Sequence, residues 1–189
     1  MPSLADNLKD LTAVAQAAAA FSPALDKLAV DLVAVLKAGG KVLTAGNGGS
    51  ACDAQHFSEE LVGRYRSNRR SLPAICLSAD GALLTCIAND FGFDQVFARQ
   101  VESLCEPRDL LIVFSSSGGS PNIQKALQTA RAKKSKTAAF LGKDGGLCKG
   151  LAQHEFIVPS QNTARIQELH TVFLHTLCDA LEAAFPAGT

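Results

Sequence analysis

The chain of 189 residues has no surplus of either charge, with Lys+Arg and Asp+Glu equal at 18 each. Without a net field, nothing in the composition pulls it onto nucleic acid or an anionic membrane. No apolar run approaches the ~18 residues that would span a bilayer, and the N-terminus lacks the charged start and apolar core of a signal peptide. None of the six cysteines stands in a C-x-x-C pair, and at this length a disulfide framework is unnecessary. Most of them sit in apolar segments, as small buried residues do. Internal repeats, low-complexity tracts and linkers are missing too. These absences lead to an expectation of one globular domain in a reducing cytoplasm, with neither a membrane nor a nucleic acid as partner.

Strands and helices alternate along the chain. The spacing predicts helices over Ser3–Ala20 and Ser22–Lys37, the latter stopped by Gly39-Gly40. A short apolar strand, Lys41–Ala45, precedes a helix from Ser50 to about Tyr65. Pro73–Leu77 reads as a strand and Gly81–Ala88 as a helix broken by Asn89-Asp90, with a further helix over Asp94–Leu104. The clearest strand is Asp109–Phe114, a continuous apolar run suited to burial on both faces. A helix from Pro121 to about Lys134, strands Lys136–Leu141 and Glu155–Val158, and a long helix Thr163–Ala184 complete the pattern. The alternation predicts an α/β fold around a parallel sheet of about five strands.

Two turns between strand and helix carry small polar residues. In Gly46-Asn47-Gly48-Gly49-Ser50, the glycines let backbone amides approach an anion, and Ser50 with Asp53 reads as a reciprocal helix cap. Ser115-Ser116-Ser117-Gly118-Gly119-Ser120 follows the central strand, where open α/β sheets bind ligands. Its hydroxyls at Ser115, Ser116, Ser117 and Ser120, with helix-terminal amides, suit a phosphate dianion. Neither turn is a Walker loop or a G-x-G-x-x-G fingerprint, so a small phosphorylated metabolite fits better than a nucleotide.

The helix after the first turn carries His56 and Glu60, four apart and therefore on one face, whereas Glu59 points elsewhere. A carboxylate beside a sugar carbonyl can move a proton between neighbouring carbons. In the last helix, spacing allows either Gln167 or Glu168 to share a broad face with His175 and does not choose between them. Arg64, Arg66, Arg69 and Arg70 read as helix-terminal and solvated connector cations.

Taken together, the chain resembles the phosphoheptose isomerases of the sugar isomerase (SIS) domain class. The matching segments are AGNGGSACDAQHFSEELVGR at 45–64, ANDFGF at 88–93, SSSGGSPNI at 115–123, GKDGG at 142–146 and ARIQELHTVFLHTLC at 164–178. The resemblance implies a single SIS domain over residues 1–189: a flavodoxin-like, three-layer α/β/α sandwich with a five-stranded parallel sheet. Added N-terminal helices over 1–38 would help build a homotetramer. It also implies one Zn2+ per subunit on His56, Glu60, Gln167 and His175, with Glu60 as general base and His175 as general acid. Substrate contacts carried over on the same basis are Asn47, Gly48, Gly49, Glu60, Arg64, Asn89, Asp90, Ser115, Ser116, Ser117, Ser120 and Gln167. The implied activity interconverts sedoheptulose 7-phosphate and D-glycero-D-manno-heptose 7-phosphate for bacterial heptose biosynthesis. Related SIS-fold proteins act instead as non-catalytic protein-binding homotetramers associated with replication initiators, or isomerise other sugar phosphates. The presence of Glu60 and His175 favours the enzyme, and the IQELHxxxxH segment favours its heptose branch.

Overall fold

The computed structural model describes residues 1–188. Helices α1 (Leu4–Ala18) and α2 (Ser22–Lys37) precede β1 (Val42–Gly46), and α3 (Gly49–Val62) leads to β2 (Ala74–Cys76). Next come α4 (Gly81–Phe91), α5 (Ala98–Leu104), β3 (Leu110–Ser115), α6 (Pro121–Ala132), β4 (Lys136–Gly142), β5 (His154–Val158) and α7 (Thr163–Ala184). All four strand pairings are parallel and the order across the sheet is β2-β1-β3-β4-β5. This is the flavodoxin-like order expected, and its direction of winding reverses between β1 and β3. Ligands in such sheets sit outside the strand ends at that reversal, where the two polar turns lie.

Alternation along the strands separates two cores. Val42, Leu110, Ile112, Phe114, Ala138, Phe140 and Phe156 face the layer built by α2, α3 and α7. Leu43, Ala45, Leu111, Val113, Ala139 and Leu141 face α4, α5 and α6. Both sheet faces are covered, which is why the central strand reads as an unbroken apolar run. α1 rests against the α7 side through Val14 and Ala18, its only two buried residues. Among the described residues, no helix is long and apolar enough to cross a membrane.

Several local expectations are corrected. α3 begins one residue earlier than Ser50, with Gly48 as an N-cap that supplies no side-chain hydrogen bond. Asp53 does not turn back to the cap; it is buried on the helix face that meets α7. Asn89 and Asp90 lie inside α4 and do not end it; Gly92 does, at a φ of +89° that favours glycine. The helix expected over Asp94–Leu104 is a short 3-10 turn, Phe93–Gln95, followed by α5. Of the six unpaired cysteines, Cys105, Cys148 and Cys178 are buried, but Cys52 and Cys86 are exposed.

Candidate active site

The turn after β1 is shaped by close backbone approach. A Cβ on Gly46 would fall 2.1 Å from the Ser50 carbonyl oxygen, and the Ser50 amide donates to the Asn47 carbonyl at 3.0 Å. Ser78, after β2, ties down the same strand end: its hydroxyl donates to the Gly46 carbonyl at 2.8 Å and accepts from the Gly46 amide at 3.1 Å.

The serine turn after β3 is held in a different way. Ser115 Oγ, which is buried, accepts the Gly118 amide at 3.1 Å, and Ser117 Oγ accepts the Gly119 amide at 3.2 Å. Each hydroxyl keeps its own O–H donor for an external oxygen. Ser120 is the N-cap residue of α6, but its side chain caps nothing, so the hydroxyl is uncommitted at the helix N-terminus. Pro121 occupies the first helical turn, as expected. The 142–146 segment packs beneath this turn so closely that a Cβ on Gly118 would meet the Gly145 oxygen at 2.0 Å.

His56 and Glu60 meet as the spacing requires, with Nε2 and Oε1 3.2 Å apart. His175 arrives from α7, its ring edge-on to His56 with centroids 5.1 Å apart. Donor atoms of His56, Glu60 and His175 all fall within 4.8 Å of one another. At that separation the three side chains could hold a divalent cation, with His56 and Glu60 already in close contact. Two imidazoles and a carboxylate are a fitting donor set for a borderline divalent ion. Gln167 lies two turns before His175 on α7, and its amide packs on Gly49, where a Cβ would come within 2.3 Å of Nε2. The structure therefore gathers three of the four expected ligands directly and sets Gln167 at the loop end of the same seam.

Other expected contacts are more scattered. Arg64 is exposed beyond the end of α3. Asn89 and Asp90 lie exposed on the last turn of α4, where Asn89 Nδ2 donates to Asp90 Oδ1 at 2.8 Å.

Four supporting residues escaped sequence reasoning. Asn122, 2% exposed, exchanges paired amide hydrogen bonds with Asn47 and so joins the two turns. Arg69 was expected in a solvated connector but is 6% exposed. Its guanidinium donates to the carbonyls of Glu60 at 2.6 Å and Leu61 at 3.0 Å, closing the C-terminus of α3, and faces Glu182 of α7. Tyr65, the one tyrosine, stacks on His175 with centroids 5.6 Å apart. Thr171 donates toward Asp53 Oδ1 at 3.2 Å. An asparagine in a first helical turn reads locally as a cap and an arginine after a helix as a solvated cation; only tertiary packing distinguishes these roles.

A sequence model of the SIS domain family matches residues 7–142. A phosphoheptose isomerase of Citrifermentans bemidjiense is 51% identical over 162 residues, covering 86% of this chain and 84% of that one. The solved phosphoheptose isomerase of Francisella tularensis superposes with a TM-score of 0.92 at 37% identity, covering 95% of this chain and 96% of that one. The corresponding Neisseria gonorrhoeae structure gives 0.88 at 35% identity, with 95% and 97% coverage. With a family match over residues 7–142 and relatives of this similarity along most of its length, the chain belongs to the phosphoheptose isomerase family of SIS-domain proteins.

Proposed function

We propose that the protein is an aldose–ketose isomerase that converts sedoheptulose 7-phosphate to D-glycero-D-manno-heptose 7-phosphate. The observation that carries the chemistry is the convergence of His56, Glu60 and His175 within 4.8 Å, beside two polar turns at the sheet's reversal point. In this reading the phosphate takes the hydroxyls of Ser115, Ser116, Ser117 and Ser120 at the α6 N-terminus, with Arg64 as the cation. Asn47, Gly48, Gly49 and Gln167 line the sugar end, and Asn89 and Asp90 complete the substrate contacts.

Glu60 removes a proton from C1 of the ketose, leaving a 1,2-ene-diolate, and returns it to C2. His175 moves the balancing proton from O1 to O2, so that C1 becomes the aldehyde and C2 the carbinol. The Glu60 side chain keeps 14% exposure, so the proton it holds can exchange with solvent before it is returned. His56, Glu60, Gln167 and His175 would hold one Zn2+ per subunit, which when bound stabilises negative charge on the ene-diolate oxygens.

We read the whole chain as one SIS domain that assembles into a homotetramer. Exposed Leu4 and Leu8 on α1, beside an apolar groove between α1, α2 and α7, support that reading. Six unpaired cysteines suit a reducing cytoplasm, where the product would feed a bacterial surface glycan.

The test is purified protein with sedoheptulose 7-phosphate and zinc, followed by NMR in D2O. The aldose should accumulate with deuterium at the reacting carbon, and Glu60→Gln and His175→Gln should each abolish both signals while keeping the fold. Absence of product and of exchange in the unaltered protein overturns the reading.

A further inference from the structure

α3 and α7 run side by side and meet along a seam with three rungs. At one end the Gln167 amide packs on Gly49. At the other the His56 and His175 rings are in edge contact. Positions 167, 171 and 175 form one stripe of α7, four residues apart, while 49, 53, 56 and 60 form the facing stripe of α3. The middle rung joins Asp53 to Thr171, and no role assigned above uses it.

Asp53 is poorly served for a buried carboxylate. It is 7% exposed, and Oδ1 has a single partner, the Thr171 hydroxyl at 3.2 Å. That hydroxyl has one proton and also lies 3.2 Å from the Gln167 carbonyl, so even this bond is shared. Oδ2 is buried with no hydrogen-bond partner. Burial pushes the Asp53 carboxyl up to about 6, against the weaker pulls of Thr171 and of the neighbouring His56.

A side chain placed only to pack this seam would be neutral. An aspartate here weakens the fold whenever it is ionised, because its charge is desolvated and half its hydrogen-bonding capacity is unused. No hydrogen bond joins Asp53 to His56, so its charge acts on the imidazole through space, across one helical turn. Asp53 stands one turn before His56 on the same stripe, and its one bond fixes the helix that brings His175.

We infer that Asp53 is a positioning residue for the His56–Glu60–His175 set. Its buried carboxylate sets the register of α3 against α7 through Thr171 and supplies the negative charge that holds the His56 imidazole ready for a divalent cation. The inference rests on the metal reading of this site given above. Thr171 serves as the hinge pin between the two halves, since it is four residues from Gln167 and four from His175.

The test compares the full-length protein with its Asp53→Asn variant, which keeps shape and one acceptor oxygen but removes the charge. Both are stripped of metal, and two quantities are measured at pH 8: the melting temperature without metal, and zinc affinity by competition with a chromophoric chelator. The variant should melt higher than the unaltered protein, by about 2 °C or more. It should also bind zinc about 10–100-fold more weakly. A purely structural Asp53 would give a lower melting temperature, and that result overturns the inference. Zinc affinity within twofold of the unaltered protein overturns it as well. If the unaltered protein itself takes up no zinc, the metal reading falls and this inference with it, an outcome visible before any variant is made.

Discussion

Asn47 and Asn122 exchange two side-chain hydrogen bonds, 2.9 and 3.0 Å long, between the turn after β1 and the first turn of α6. The same Asn122 Oδ1 also accepts the Ile123 amide at 2.9 Å. One buried amide thus joins the loop assigned to the sugar and the loop assigned to the phosphate, across the point where the sheet reverses. Asn122→Ala strands the Asn47 amide and frees the two turns from each other. The expected cost is about 2 kcal/mol in urea denaturation. A fall in kcat/KM of roughly tenfold or more should accompany it, because positioning errors near 1 Å are costly. Unchanged kinetics in a destabilised variant would show that the bridge serves the fold alone.

Two glycines near the site should fail in different ways. In Gly49→Ala the new Cβ meets the end of a flexible side chain, Gln167 Nε2 at 2.3 Å, which can swing aside. In Gly118→Ala the Cβ meets backbone, the Gly145 oxygen at 2.0 Å, at a residue with φ +63°. Gly49→Ala should stay folded, with a melting temperature within a few degrees of the parent, and lose most activity as Gln167 is displaced. Gly118→Ala should instead lose about 2 kcal/mol or more of stability. Thermal melts beside single-turnover rates separate the two, and equal losses of stability would refute the distinction.

Arg69 and Glu182 form a second tie between the α3 and α7 ends of the site. The guanidinium satisfies carbonyls at the end of α3, and its Nε lies 3.4 Å from Glu182 Oε1. Glu182 in turn accepts the Ser67 amide at 2.8 Å. Arg69→Met removes the donor set while leaving the aliphatic bulk, and should destabilise the protein by about 3 kcal/mol or more because buried acceptors lose their partners. Adding Glu182→Leu should recover part of that loss. A double-mutant cycle by urea denaturation reads the coupling, and strictly additive losses would mean the two residues act independently.

The fold was largely legible because each strand of the sheet announces itself locally. Leu110–Phe114 is apolar on both faces, and the turns after β1 and β3 use the glycines and small polar residues that tight turns favour. His56 and Glu60 were legible for the same reason, since helical spacing alone puts them together. What stayed hidden depends on distance in the chain. Asp53 satisfies a local capping pattern, but α7 lies close enough to draw it inward to Thr171. Arg69 looks like one of several surface cations until the end of α3 is seen to need donors. Nor does periodicity encode that the Gln167 amide packs on Gly49 while Glu168 turns to Arg165.

His170 and Asp53 should pull the acid stability of the metal-free protein in opposite directions. His170 is fully buried against the stacked pair Phe114 and Phe140, bonded to the Leu141 carbonyl at 3.1 Å, and desolvation lowers its pKa to about 4. The unfolded chain therefore takes up this proton first, and stability falls by about 3 kcal/mol as pH drops from 6.5 to 4. Burial raises Asp53 to about 6, so the folded chain takes up that proton first. Its contribution grows by about 3 kcal/mol as pH drops from 6 toward the ordinary carboxylate range. The two trends offset each other, and urea midpoints of the unaltered, metal-free protein should change little between pH 6 and 4.5. Asp53→Asn removes one side of the balance and should expose a steep acid loss, whereas His170→Gln should become relatively more stable toward acid. Parallel profiles for all three proteins would mean that neither group is buried in the form described.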